Sequence, residues 1–226
     1  MIITIDGPAG TGKSTVSRAV AQRLGFDFLD TGAMYRAVGV EAMRRGVDLD
    51  DQPALGEVAA ACTVDFDWSV QPPGVLLNGR NVDHLLRSAA ATHAASKIAV
   101  VPAVRQRMVE LQRRIGRQRP NLVTEGRDQG SVVFPDAELK VYLDATPQER
   151  ARRRTRQLQQ RGEQADEREI LEQIIIRDRR DSTRAAAPLT VPDGAVVIDT
   201  TPLTEEQVIQ MVVDLANQRR RMGRGQ

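Results

Sequence analysis

Apolar residues fill Ile2, Ile3 and Ile5 before the turn-forming Asp6-Gly7-Pro8, a pattern that predicts a short buried strand entering a loop. Val16, Val20 and Leu24 then recur every fourth position and Gly25 follows them, which predicts a helix from Lys13 to Leu24. A second strand is expected at Phe28-Leu29, and a second helix from Ala33 to Arg45, stopped by Gly46. Strands and helices alternating in this order call for parallel strands joined by crossover helices.

The middle of the chain departs from that alternation. Asp51 is placed to cap a helix with Pro53 in its first turn, running to about Cys62. Val64, Phe66 and Trp68 alternate with polar residues, and Val75-Leu76-Leu77 leads into the hairpin pair Asn78-Gly79, so a small antiparallel sheet is expected here. Helices are predicted over Ala89 to Val100 and Val104 to Arg114. The α/β alternation then resumes with strands at Leu122-Val123-Thr124, Leu139 to Leu143 and Ala195 to Ile198. Helices over Pro147 to Gln160 and Glu167 to Arg184 flank the polar break Arg161-Gly162-Glu163-Gln164. A last helix from Thr204 to Arg219 turns Val208, Met211, Val212 and Leu215 inward, and the arginine-rich tail beyond it reads as a frayed, solvated end.

Composition narrows the class. With 226 residues, 41% hydrophobic and 27% charged, the chain has room for one well-buried domain, and wholesale disorder is excluded. A net charge of +2 argues against a general nucleic-acid coat. No apolar run approaches the roughly 18 residues of a membrane span. Met1-Ile2-Ile3-Thr4-Ile5 carries no targeting signal, so a cytoplasmic protein is expected. Cys62, the single cysteine, is expected to be a buried structural thiol. The 32 basic residues are 29 arginines and three lysines, Lys13, Lys97 and Lys140. Most of that excess reads as a genome-wide codon bias, leaving a subset of guanidinium forks suited to phosphate and carboxylate.

The strongest chemical signal is Gly7-Pro8-Ala9-Gly10-Thr11-Gly12-Lys13-Ser14, which fits G-x-x-x-x-G-K-[ST] in full between a predicted strand and helix. Glycines let backbone N–H groups turn inward around a phosphate, and the helix start adds partial positive charge. Gly7 through Thr15 are therefore the candidate triphosphate-binding residues, with Lys13 reaching the β- and γ-phosphates and the Ser14 hydroxyl placed for Mg²⁺. Three uses of a triphosphate are open. A GTPase would carry an N-K-x-D segment, which is absent, and a nucleic-acid motor would show a larger core or a strongly basic face with exposed aromatics, whereas aromatics make up only 3% of this chain. A small-molecule kinase needs a second anion site and an arginine-bearing lid.

Candidates for both are present. Arg36 closes the run Asp30-Thr31-Gly32-Ala33-Met34-Tyr35-Arg36 after the second strand. Glu125-Gly126-Arg127-Asp128 follows the third parallel strand onto the same carboxyl edge, where ligands of open α/β sheets collect. Arg177, Asp181 and Arg184 share one helix face at i, i+4 and i+7, either as a salt-bridge ladder or as a binding face. Arg150, Arg153 and Arg154 share a face beside the polar break and are candidates for closing on the triphosphate during transfer.

The ordered set Gly7 to Ser14, Leu29 to Arg36, Glu125 to Ala137, Leu143 to Arg154 and Arg177 to Leu189 resembles bacterial cytidylate kinases over essentially the whole chain. The resemblance implies an α/β P-loop kinase with a five-stranded parallel sheet flanked by helices. It also implies an inserted monophosphate-binding domain with a small antiparallel sheet at about 37–117, and a short helical lid with flanking helices at about 149–184. The core would then comprise about 1–36, 118–148 and 185–226. The implied activity is phosphorylation of CMP, and of dCMP, by ATP with Mg²⁺, through direct in-line transfer. A monomer acting on small molecules, with no nucleic-acid or membrane partner, is expected.

By the same resemblance, Ser96, Arg105 and Asp128 bind cytosine, Arg177 and Asp181 contact the pentose, and Arg36, Arg127 and Arg184 grip the phosphate. Lys13, Arg127, Arg150, Arg153 and Arg154 would stabilise the transfer itself. Asp128 accepting from the cytosine amine would face a carbonyl in uracil and penalise UMP. Two residues depart from the family pattern. Gln129 stands where a bulky apolar residue is expected, and Glu125 where an aspartate is common. Glu125 and Asp144 each close an apolar strand, and both qualify to hold the waters of a Mg²⁺ ion; Thr200-Thr201-Pro202 is a candidate for the adenine. The competing expectations are a related kinase acting on UMP, AMP or another small acceptor, and a P-loop ATPase that binds or regulates nucleic acid.

Overall fold

The structure, a computed structural model, describes residues 1–160, 162–183 and 188–223. Two compact units make up the chain, Met1–Phe26 with Val123–Gln226, and Asp27–Leu122. Five strands, β1 (Ile2–Asp6), β2 (Asp27–Asp30), β6 (Leu122–Glu125), β7 (Leu139–Asp144) and β8 (Val196–Asp199), form one parallel sheet in the order β2-β6-β1-β7-β8.

In the first unit β1 is the middle strand, and its neighbours explain its composition. Ile3, Thr4, Ile5 and Asp6 have no exposed surface, as a parallel strand covered on both faces should. It pairs in parallel with β7, Ile5 opposite Val141 and Asp6 opposite Tyr142, and β7 pairs with β8, Leu143 opposite Ile198. Three helices of this unit carry the site or support it: α1 (Lys13–Leu24), α6 (Pro147–Gln159) and α7 (Glu167–Thr183). Ala151, Ile170 and Ile174 form a small core that joins α6 to α7, with Leu158, Ala165 and Leu171 packed around it. The last helix, α8 (Glu205–Gly223), continues past the predicted end at Arg219. Arg220 is not frayed: its guanidinium lies over the Phe26 ring, 5.6 Å from the centroid, which extends the helix.

In the second unit α2 (Thr31–Arg44) starts two residues earlier than its apolar pattern predicts, because Asp30 caps it by accepting from the Ala33 N–H at 2.8 Å. Helix α3 (Gln52–Ala61) is capped in the same way by Asp51, and Cys62 behind it is buried. Strands β3 (Val64–Asp67), β4 (Gly74–Leu77) and β5 (Arg80–Asn81) form the small antiparallel sheet, with Asn78-Gly79 as the hairpin between the last two. The alternation that reached Trp68 overshoots by one residue: Trp68 falls in a turn, where the Arg119 guanidinium lies 4.6 Å from its ring centroid. Helices α4 (Ala89–Ile98) and α5 (Pro102–Gln118) complete the unit. Some of its arginines are structural. Arg44 and Arg45 bracket the buried Glu41 at 2.8 Å, and their hydrogen bonds, Arg44 foremost, hold its carboxyl down at about 2.

Candidate active site

The loop between β1 and α1 is built by backbone constraints that its glycines satisfy. Gly7 has φ +143°, and a side chain there would put a Cβ 2.0 Å from the Leu143 carbonyl oxygen, so no other residue fits between β1 and β7. The loop turns back on itself. The Lys13 Nζ donates to the Pro8 carbonyl at 2.6 Å, and the Thr11 hydroxyl donates to the same oxygen at 3.2 Å. Ser14, in the first turn of α1, donates to the Glu125 carboxylate at 2.5 Å. Asp144 turns elsewhere: it is exposed, and its carboxylate accepts from the Ala145 N–H at 2.9 Å. Of the two carboxylates that close strands flanking β1, Glu125 is therefore the one at the loop.

Lys13 is buried, and its amine is held well below its ordinary value. Burial is the largest cause and the Arg127 guanidinium the next, with Arg177 adding to it, against the opposing pull of Glu125 and Asp6. The three cations are gathered here among the carboxylates of Glu125, Asp6 and Asp181, the last paired with Arg127 at 3.0 Å.

Arg127 and Asp128 sit on a turn that leads into a π-helical segment, Gln129–Val133, of a kind concentrated at functional sites. The Asp128 carbonyl accepts from the N–H groups of Val132 at 2.9 Å and Val133 at 3.1 Å. The next two amides are held by a side chain: Asp6 accepts from Gln129 N–H at 2.8 Å and from Gly130 N–H at 2.7 Å. Gly130 permits a close approach here, since a Cβ would stand 2.8 Å from the Thr4 hydroxyl and 3.1 Å from Pro192. Gln129, the departure from the apolar pattern, is buried and accepts from the Thr124 hydroxyl at 2.9 Å, so its amide is satisfied rather than disruptive. The Arg127 Nε donates to Asp181 at 3.0 Å, bringing α7 to this turn. Asp181 thus pairs across to another segment rather than serving only as a rung along its own helix.

The arginines of α6 divide by burial. Arg150 is buried, and four of its five N–H donors are engaged: Nε to the Ala145 carbonyl, one to the Ala9 carbonyl and two to Asp178. Arg153 donates to the Thr200 hydroxyl at 3.0 Å and to the Thr200 carbonyl at 2.6 Å. The loop that carries Thr200-Thr201-Pro202 is thereby fixed to α6, and the Thr146 N–H donates to the Thr201 hydroxyl at 3.1 Å. Arg154 is exposed and donates to Gln157, on its own helix, at 2.6 Å. Arg184 and Arg161 lie outside the described residues.

Arg36, Ser96 and Arg105 belong to the second unit. Arg36 pairs with Asp30 at 2.9 Å, beside the start of α2. Ser96 is in the last turn of α4, and the buried Arg105 reaches back from α5 to the Ala99 carbonyl at 3.3 Å, so both mark the corner between these helices. Sequence reasoning missed Asp6, Asp178 and Thr124. A signal for Asp6 was available: an acidic residue ending an apolar strand immediately before an anion-binding loop is electrostatically out of place.

Comparison with known proteins gives one family. The family model described as cytidylate kinase matches residues 3–218. A cytidylate kinase of Pelotomaculum thermopropionicum is 49% identical over 212 residues, covering 93% of each chain. One of Bordetella pertussis is 46% identical over 213 residues, covering 94% of this chain and 93% of its own. Among solved structures, a shikimate kinase from Bacteroides thetaiotaomicron aligns over 96% of this chain and 98% of its own, with a TM-score of 0.50 and 14% identity, a likeness of fold alone. Among the described residues no helix is long and apolar enough to cross a membrane.

Proposed function

The chain belongs to the cytidylate kinase family and phosphorylates CMP at the expense of ATP, and from that premise we propose how its residues divide the work. Residues Gly7 to Thr15 hold the triphosphate of ATP. An oxygen of the CMP phosphate attacks the γ-phosphorus in line, the bond from that phosphorus to the β–γ bridging oxygen breaks, and ADP leaves. The attacking oxygen is already anionic, so no general base is required. The observation that carries this assignment is the burial of Lys13 under the influence of Arg127 and Arg177. It supports a donor-phosphate amine and an acceptor-phosphate fork acting on the same anionic group.

Mg²⁺ fits the donor set. Ser14 and Glu125 present only oxygens, and a hard cation that travels with a triphosphate needs one or two protein ligands. When bound, it would neutralise charge on the phosphate oxygens, held by Ser14 directly and by Glu125 directly or through water. CMP, and dCMP in the same way, is read by Ser96, Arg105 and Asp128 at the base, and by Arg177 and Asp181 at the sugar. Arg36, Arg127 and Arg184 grip its phosphate. Asp181 also orients Arg127 through Nε, so one carboxylate serves both the sugar and the fork beside it.

On α6, Arg150 braces the phosphate loop through Ala9 and ties it to α7 through Asp178, and among the described residues one N–H of it is left for the triphosphate. Arg153 and Arg154 complete the cationic face, with Arg154 the freest to swing inward. On this reading the enzyme works as a cytoplasmic monomer on small-molecule substrates. Direct transfer is tested with ATP made chiral at the γ-phosphorus by oxygen isotopes. One displacement inverts the configuration in the product CDP; retention would require a phosphorylated enzyme intermediate and would overturn the mechanism.

A further inference from the structure

Asp6 is a fully buried carboxylate between the phosphate loop and the turn that carries Arg127 and Asp128, and the chemistry of transfer does not call on it. Both of its oxygens are committed to backbone N–H groups of that turn, at 2.8 Å to Gln129 and 2.7 Å to Gly130. The other end of the turn is tied to the same strand, the Gly126 N–H donating to the Ile5 carbonyl at 3.1 Å. Arg127 and Asp128 are therefore suspended between two anchors on β1, the strand that feeds directly into the phosphate loop. On the loop side Gly7 is locked against the Leu143 carbonyl, so β1 cannot shift without moving both phosphate-binding elements.

We infer that Asp6 is a positioning residue, holding the Arg127–Asp128 turn in register with the phosphate loop and thereby setting CMP affinity and the preference for CMP over UMP. The selectivity part rests on the assignment of Asp128 to the base. A carboxylate suits this task because it is acceptor-only and offers an oxygen to each amide, whereas an asparagine of the same shape would point an NH₂ at one of them. The charge is kept in an unfavourable place. Burial pushes the Asp6 carboxyl up to about 6, and Asp128 adds to the rise, while the two amides and Lys13 oppose it. Tyr142, its partner in the β1–β7 register, is a further titratable group acting on it. Protonation places an O–H against an N–H and loosens one anchor, so the clamp weakens as pH falls through about 6.

The test is steady-state kinetics of the wild type, Asp6→Asn and Asp128→Ala with CMP, UMP and ATP between about pH 5.5 and 8. Asp6→Asn is expected to raise KM for CMP about tenfold while KM for ATP stays within about threefold, and to narrow the CMP-to-UMP ratio of kcat/KM about fivefold or more. That ratio does not depend on the fraction of enzyme folded, and the two substrate phosphates titrate alike, so neither disturbs it. In the wild type the ratio should fall as pH is lowered through about 6, and in Asp6→Asn it should be flat. Equal changes in KM for CMP and ATP with an unchanged ratio would reduce Asp6 to a structural residue and overturn the inference. If Asp128→Ala leaves the ratio unchanged, the base assignment fails, and Asp6 stands or falls on the split between the two KM values. If Asp6→Asn does not fold, a wild-type ratio that stays flat to about pH 5.5 overturns the inference.

Discussion

Lys13→Ala is expected to lower kcat by about a thousandfold, about 4 kcal/mol of transition-state stabilisation, with little change in the melting temperature. The size of the loss follows from where the amine lies. It is buried, folded back onto the Pro8 carbonyl, and held well below its ordinary value by burial and by the nearby guanidiniums of Arg127 and Arg177. Such a group contributes little to the resting fold, because its charged form is disfavoured there. Its full value appears only when phosphate oxygens replace the carbonyl and gather charge during transfer. Binding of ATP should suffer less than turnover, since the loop amides remain. Turnover kinetics alongside a thermal melt check this; near-normal kcat in a well-folded variant would remove Lys13 from the chemistry.

Asp128→Ala is expected to cut discrimination between CMP and UMP by about tenfold or more, with most of the loss in CMP and a gain in UMP. A carboxylate that accepts from an exocyclic amine stabilises cytosine and repels the carbonyl that uracil presents at the same position, so removing it acts on both substrates in opposite directions. Asp128 is suited to this because it is buried and because its backbone is pinned on both sides, by its own carbonyl to Val132 and Val133 and by the following amides to Asp6. The kcat/KM ratio for the two monophosphates reads the effect directly. An unchanged ratio would take Asp128 out of base recognition.

The elements that fix these residues were legible in the sequence to unequal degrees. The phosphate loop was plain, because strand, glycine loop, lysine and helix follow one another within fourteen residues and each is a local signal. The small antiparallel sheet was visible for the same reason, through alternation and the Asn78-Gly79 pair. The choice between Glu125 and Asp144 was not. Both end strands that flank β1 in the sheet, and only the direction of each side chain separates them, Glu125 onto Ser14 and Asp144 back onto the Ala145 amide.

Arg150, Arg153 and Arg154 looked equivalent on a helical face, since spacing gives direction but not the partners waiting there. Asp178 lies 28 residues from Arg150 and Thr200 47 from Arg153, and those contacts depend on how the chain closes. Gln129 stood out from the apolar pattern because its partner, Thr124, belongs to the preceding strand, and the π-helical turn brings the two together. The excess of arginine gave no ranking by itself; burial and partners supply it, with Arg44 and Arg45 bracketing Glu41 while Arg127 pairs with Asp181.

Release of ADP from ATP, followed by a coupled assay against CMP, dCMP, UMP, AMP and single-stranded RNA in parallel, tests the central claim most directly. Rapid, Mg²⁺-dependent turnover with CMP and dCMP, far above that with UMP or AMP and with no stimulation by RNA, is the predicted result. A preference for UMP, AMP or RNA over the cytidine monophosphates would contradict it.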